Sequence, residues 1–177
     1  MFPLERVSRS APTFLSGARN GDGQRMTKPY SYALNLLGAR AYTVRNLRRK
    51  LTQKGFDPKE SDEAVERLLE KGYLDDVKFA SEFARQRLVG GGASIRRVEQ
   101  QLAQRGIARD VANVAAAQVV EEEGVDPTAT MEKIATKKVA SMGDLDPLVK
   151  RRRLFGFLAR KGYDLNDVNR VVRSIFP

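Results

Sequence analysis

Apolar residues recur at steps of three and four from Tyr30 to the end of the chain, and no stretch alternates apolar with polar as a half-buried strand would. Within this helical pattern, one short motif of leucine, two variable residues, a basic residue, glycine and an apolar residue is written three times. It reads L-T-Q-K-G-F at 51–56, L-A-Q-R-G-I at 102–107 and L-A-R-K-G-Y at 158–163. The periodicity extends well beyond the motif. Downstream of Gly55, Gly106 and Gly162 the stripes Ala64/Val65/Leu68/Leu69, Ala115/Ala116/Val119/Val120 and Val171/Val172/Ile175/Phe176 fall at the same offsets. Upstream, Leu47/Leu51, Val98/Leu102 and Leu154/Leu158 correspond, and further upstream so do Tyr32/Ala33/Leu37, Phe83/Ala84/Leu88 and Ile134/Ala135/Val139. Each copy therefore predicts helix, helix, tight glycine turn, helix.

Start and stop signals agree. Thr43, Ser94 and Asp146 stand where side-chain caps open the second helices. Asp57-Pro58 with Glu60, and Asp164 with Asp167, open the third helices of copies one and three, whereas copy two has Ala108 there and a weaker cap. The repeated glycine suits the left-handed residue past a helix end, and the basic residue before it (Lys54, Arg105, Lys161) complements the helix dipole. The expected architecture is all-α: three tandem three-helix repeats in an elongated, curved array. Repeat 1 spans 30–75, repeat 2 spans 76–125 and repeat 3 spans 126–177. Units of about 50 residues sit near the lower limit for a self-sufficient core, so neighbours are expected to bury apolar faces against one another. Third-copy insertion falls around S-M-G-D-L-D-P, and Gly90–Gly92 reads as a flexible link. Residues 1–28, rich in Pro, Gly and Ser without an apolar stripe, read as a flexible basic leader.

Composition narrows the chemistry. With no cysteine and no histidine, Ser-His and Cys-His nucleophiles, disulfides and thiolate metal sites are excluded. No catalytic residue, metal ligand or cofactor is expected. Asp75-Asp76 has the look of an acid pair, but its place before V-K-F-A-S-E-F-A is that of a helix cap. The net charge of +10 points to a polyanionic partner. Charge concentrates on the second helices as Arg45, Arg48, Arg49 and Lys50, then Arg96 and Arg97, then Lys150, Arg151, Arg152 and Arg153. These ten are the candidate contacts to DNA phosphates or an acidic protein surface. Arg151 stands where the other copies have Val44 and Ile95. Tyr42, Phe56, Tyr73 and Tyr163 are candidates for base stacking, although Ile107 in the place of Phe56 and Tyr163 points to packing for those two. No apolar run reaches membrane-span length and no signal sequence opens the chain, which suggests a cytoplasmic protein.

The stretch G-Y-L-D-D-x-x-F-A-x-x-F-x-x-x-R at 72–87, with I-R-R-V-E-Q-Q-L-A-Q-R-G-I at 95–107 and L-F-G-F-L-A-R-K-G-Y at 154–163, resembles the RecX family of bacterial recombination regulators. The resemblance covers about 30–177. It implies a non-enzymatic modulator that binds the RecA recombinase and its filament on single-stranded DNA, restraining ATP hydrolysis, filament growth and strand exchange; a monomer is expected. Val89 departs from the basic residue often present before the glycine link in that family. The alternatives are a helix-turn-helix regulator of duplex DNA and a scaffold that binds only proteins.

Overall fold

The computed structural model describes residues 28–177; the leader predicted for 1–28 lies outside them apart from Lys28. Among the described residues there are nine α-helices and no strand. Repeat 1 comprises α1 (Lys28–Ala39), α2 (Val44–Lys54) and α3 (Pro58–Glu70). Repeat 2 comprises α4 (Asp76–Arg85), continued by one π-helical turn (Gln86–Gly90), then α5 (Ile95–Gln104) and α6 (Arg109–Glu122). Repeat 3 comprises α7 (Pro127–Ala140), α8 (Pro147–Arg160) and α9 (Leu165–Ile175).

The local signals act as expected. Thr43 and Ser94 accept hydrogen bonds from the Asn46 and Arg97 amides, and Asp57, Asp146 and Asp164 cap α3, α8 and α9. α6 starts at Ala108 with no side-chain cap. Gly55, Gly106 and Gly162 adopt φ of 84°, 88° and 89°, a conformation that costs an L-residue about 1–2 kcal/mol. The third copy's insertion does not simply lengthen a loop. α8 begins at Pro147, one turn earlier than α2 and α5 in the alignment of the repeats, so Lys150 and Arg151 lie inside the helix where the other copies have their cap and first helical residue.

The apolar stripes close three separate cores. Leu47, Leu51, Ala64, Val65 and Leu68 meet Tyr30 and Ala33 in the first; Phe83, Ala84, Leu88, Val98, Leu102 and Val119 meet in the second; Met131, Ala135, Leu154, Leu158, Val168 and Val171 meet in the third. The expectation that neighbouring repeats bury apolar faces against each other is therefore wrong. Three helices packed around one apolar pair of the second helix already cover their own stripes, so the surfaces left to meet are helix ends, whose unpaired backbone groups require polar partners.

Those ends meet by one rule. The starts of α2 and α5 each receive the glycine turn that follows the second helix of the next repeat. At the first joint, Thr43 Oγ1 donates to the Arg105 carbonyl (2.7 Å), and the Val44 amide donates to Asp76 Oδ1 (2.9 Å). At the second, the Ser94 amide donates to the Lys161 carbonyl (3.0 Å), and Tyr163 OH donates to the Gly92 carbonyl (3.2 Å). Lys161 Nζ also donates to the Gly91 carbonyl. Carbonyls past one helix's negative end thus face the positive start of another, a favourable arrangement of dipoles. Gly90–Gly92 is accordingly more than a link. Two of its carbonyls hold repeat 3, and a Cβ at Gly92, where φ is 55°, would stand 2.7 Å from Ile134 Cγ2.

The aspartate pair divides its work across this joint. Asp75 caps α4 through the Val77 and Lys78 amides, while Asp76 reaches back to α2. Burial pushes the Asp76 carboxyl above its ordinary 3.8, the Val44 N–H opposes the rise and the adjacent Asp75 adds to it. A carboxyl whose pKa is raised on folding stabilises the fold while protonated and loses that contribution as pH rises through the folded pKa. Asp76→Asn keeps an oxygen acceptor without the charge. It is expected to equal or exceed the wild type in denaturant unfolding at pH 7, with the difference vanishing below about pH 4. Asp76→Ala strands the Val44 N–H and is expected to cost about 1 kcal/mol below about pH 4 and less at pH 7, where the wild type has lost the contribution of the protonated carboxyl. A wild-type advantage over Asp76→Asn that grows with pH would contradict this assignment.

Candidate functional site

The ten basic residues singled out from the sequence do not form one surface with one role. Arg45 and Arg97 lie at the joints: a Cβ on Gly106 would stand 2.6 Å from Arg45 Cβ, and one on Gly162 would stand 2.6 Å from Arg97 Cβ. Their methylenes roof the glycine turns of the following repeat, and Arg97 Nη1 also donates to Gln100 Oε1 (3.0 Å). Arg48 pairs with Asp62 on α3 at 3.0 Å, with both side chains about half exposed, so its field is partly neutralised at its source. Arg49 and Arg96 are exposed, and Lys50 is half-buried. Repeat 1 further dilutes its cations with an acidic α3, where Glu60, Asp62, Glu63 and Glu66 face solvent.

Repeat 3 is different. Its residues 126–177 hold eleven basic and six acidic side chains. Arg151, Arg152 and Arg153 are exposed on α8, and Lys150 is half-buried at its start. Arg152 and Arg153 line a groove of about 410 Å³ together with Lys138 of α7 and with Gly156 and Arg160 of α8. The structure thus adds Lys138 and Arg160 to the cluster, neither of which the sequence reading singled out. Arg160 had a visible signal, because Arg152, Gly156 and Arg160 recur at steps of four along one helical face. Lys138 had none, since its helix approaches only through the tertiary fold.

The aromatic candidates mostly pack inward. Phe56 meets Tyr32 edge-on at 5.5 Å, Tyr42 is buried beneath the Arg40 guanidinium at 4.7 Å, and Tyr163 joins the third core with its hydroxyl in the second joint. Burial pushes the Tyr163 phenol up to about 12. Tyr73 is the exception, at 59% exposure. In repeat 2, Arg87 and Arg105 both lie over the Phe83 ring, at 5.1 and 4.5 Å. Burial, and then the charge of Arg87, hold the Arg105 guanidinium below its ordinary pKa. Arg105 Nη1 also binds the Gln101 carbonyl at 2.7 Å, so the basic residue of the glycine motif does serve a helix end here. Lys161, its counterpart, has left that task for the joint.

Among the described residues no group of three acidic side chains is placed to hold a metal ion, and no helix is long and apolar enough to cross a membrane. A second concavity of about 230 Å³ beside the first joint is lined by Tyr42, Tyr73, Asp75, Lys78 and Glu82. It mixes both signs of charge, and Asp75 there is committed to its cap.

Comparison with known proteins matches this organisation repeat by repeat. Residues 30–68 match the family model described as the first three-helix domain of RecX, residues 75–115 the second, and residues 126–172 the third. The chain belongs to the RecX family. It is 34% identical over 140 residues to the regulatory protein RecX of Amycolatopsis mediterranei, covering 79% of this chain and 78% of that one. It is 35% identical over 138 residues to the regulatory protein RecX of Trichlorobacter lovleyi, covering 76% and 86%. In fold it resembles the crystal structure of RecX from Lactobacillus salivarius, with a TM-score of 0.63 at 17% identity over 83% of this chain and 94% of that one. A further RecX crystal structure superposes with a TM-score of 0.66 at 19% identity. RecX membership and the tandem three-helix architecture thus rest on sequence and fold together.

Proposed function

We propose that this RecX-family chain is a non-enzymatic, cytoplasmic regulator that binds the RecA recombinase and its filament on single-stranded DNA, and restrains ATP hydrolysis, filament growth and strand exchange. Family membership across all three repeats is the main support. The observation that carries the electrostatic part is the uneven charge: basic second helices along the array, with the densest and least neutralised cluster on α8. Polar joints between separate cores give a long series of small units, which suits contact with an extended polyanionic partner. The acidic exposed face of α3 disfavours the duplex-reading alternative, because a recognition helix must approach base edges between two rows of phosphates.

Titration of the protein into cognate RecA hydrolysing ATP on single-stranded DNA tests the reading. Inhibition is expected, and replacing Lys150, Arg151, Arg152 and Arg153 with alanine is expected to weaken it at least about tenfold at low salt and to flatten its salt dependence. Full inhibition by that folded variant would remove the α8 cluster from the mechanism. Absence of any effect of the wild type on RecA would remove the function itself.

A further inference from the structure

α8 carries Gly156 in its interior, as its tenth residue. Glycine weakens a helix there relative to alanine, so its presence requires a reason. Backbone conformation supplies none, since Gly156 is not among the positive-φ glycines. Nor does packing against another helix. A Cβ at Gly156 would meet only the tip of Arg160, with Nη1 at 3.2 Å and Cζ at 4.0 Å. Gly106 and Gly162, by contrast, are required by their turns and by the neighbouring repeat. The space left at Gly156 is therefore occupied by a guanidinium, folded back along the helix towards Arg152 and Arg153.

That fold-back gathers like charges. Arg152, Arg153 and Arg160 from α8 and Lys138 from α7 line one groove, and no carboxylate lines it. Three cations elsewhere pair with carboxylates, Arg48 with Asp62, Arg85 with Glu122 and Glu123, and Arg170 with Asp167, while others such as Arg49 and Arg96 stand apart on the surface. Among the described residues, none of the four groove cations takes part in such a pair. Lys138 Nζ lies over the Phe157 ring at 5.6 Å, but concentrating charge of one sign with no carboxylate beside it, at a glycine that weakens the helix, opposes folding. It becomes favourable when an anion enters.

We infer that the groove formed by Lys138, Arg152, Arg153 and Arg160 is a binding site for the sugar-phosphate backbone of single-stranded nucleic acid, with Gly156 the notch that admits it. The inference rests on the polyanion reading above and narrows it to one groove. Two features select the ligand. No apolar side chain lines the groove, whereas a peptide partner draws its affinity from buried apolar or aromatic anchors; a phosphate backbone needs none. A groove between two packed helices, whose axes lie about 8–10 Å apart, admits one strand and not a duplex.

Fluorescence anisotropy of a labelled oligothymidylate, titrated with the full chain across a range of KCl, tests this. Lys138→Gln and Arg160→Gln are each expected to weaken binding about five- to tenfold at low salt and to reduce the slope of log affinity against log salt by about 0.7. Gly156→Ala is expected to melt at the same temperature as the wild type or higher, yet to bind several-fold more weakly. Overlaid binding curves for these three variants and the wild type would overturn the inference, as would absence of wild-type binding to the oligonucleotide. So would preferential binding of polyglutamate that is lost in Arg160→Gln, which would assign the groove to an acidic protein segment. Failure here is separable from failure of the RecA reading. Inhibition of RecA by variants that bind the oligonucleotide normally would leave that reading standing without the groove. Groove-dependent binding by a wild type that leaves RecA unaffected would do the reverse.

Discussion

Gly106→Ala is expected to destabilise the second repeat by about 2–4 kcal/mol, while Gly55→Ala, at nearly the same φ, costs the first repeat only about 1–2 kcal/mol. Both glycines follow a second helix in the left-handed conformation, at 88° and 84°, so the strain of adding a Cβ is common to the two. The neighbours differ. Nothing lies within 4 Å of a Cβ at Gly55, whereas at Gly106 it would press on the Cβ, Cγ and Cδ of Arg45. Arg45 Cβ is anchored to the α2 backbone and does not swing away as a side-chain tip would, so the joint itself must open and strain the Thr43–Arg105 hydrogen bond. Gly162→Ala is expected to behave like Gly106→Ala, because Arg97 Cβ and Cα and Ser94 Oγ close over it. Denaturant unfolding, followed by hydrogen exchange resolved to each repeat, measures the three losses. Equal losses at Gly55 and Gly106 would show that the turns of repeats 2 and 3 are not held by the helix starts they touch.

Leu158→Ala is expected to cost the third repeat about 2–5 kcal/mol and to split the unfolding transition. Leu158 is fully buried in the third core, and that core is separate from the other two. Coupling between repeats 2 and 3 runs mainly through a few hydrogen bonds, Ser94 to Lys161 and Lys161 and Tyr163 to the Gly91 and Gly92 carbonyls. Each contributes about 0.5–1.5 kcal/mol net. A core loss of the expected size therefore equals or exceeds what the joint can transmit. Repeat 3 should unfold at lower denaturant while the cores around Leu51 and Leu102 persist. Under the proposed restraint of RecA, the same variant is expected to lose most of its effect when assayed above the melting point of its third repeat, since α8 presents the largest cationic cluster. One cooperative transition shifted as a whole would mean that the repeats are coupled far more tightly than their polar joints allow.

The repeat was legible because it is built from short-range rules. Leu47, Leu51, Val98, Leu102, Leu154 and Leu158 are all fully buried, as their spacing of four required. On the third helices the first two positions of each stripe are buried, as are Leu68 and Val119 at the third, while Ile175 is half-buried and the last position lies at the margin: Leu69 is 40% exposed, and Val120 and Phe176 are half-buried. A stripe on a helix of 3.6 residues per turn drifts, so its last member leaves the core first. Caps were legible for the same reason, since Asp57, Asp146 and Asp164 act on amides two or three residues away. Stacking of the repeats was misjudged. The near-marginal size of each unit suggested shared apolar faces, whereas three packed helices proved sufficient to close a core each.

The roles of individual cations were the least legible. Arg45 and Arg97 occupy corresponding stretches of a basic helix beside Arg48 and Arg96, yet two of these four roof glycine turns, one meets Asp62 and one is exposed. Helix, turn and cap follow from residues within about four positions of each other, where chain geometry leaves few choices. Thr43 with Arg105, Val44 with Asp76, Tyr163 with Gly92 and Lys138 beside Arg160 are joined across tens of residues. No local propensity encodes such pairs. They exist because three closed cores left only helix ends to touch, and because α7 and α8 close on one core with their cations on the outside.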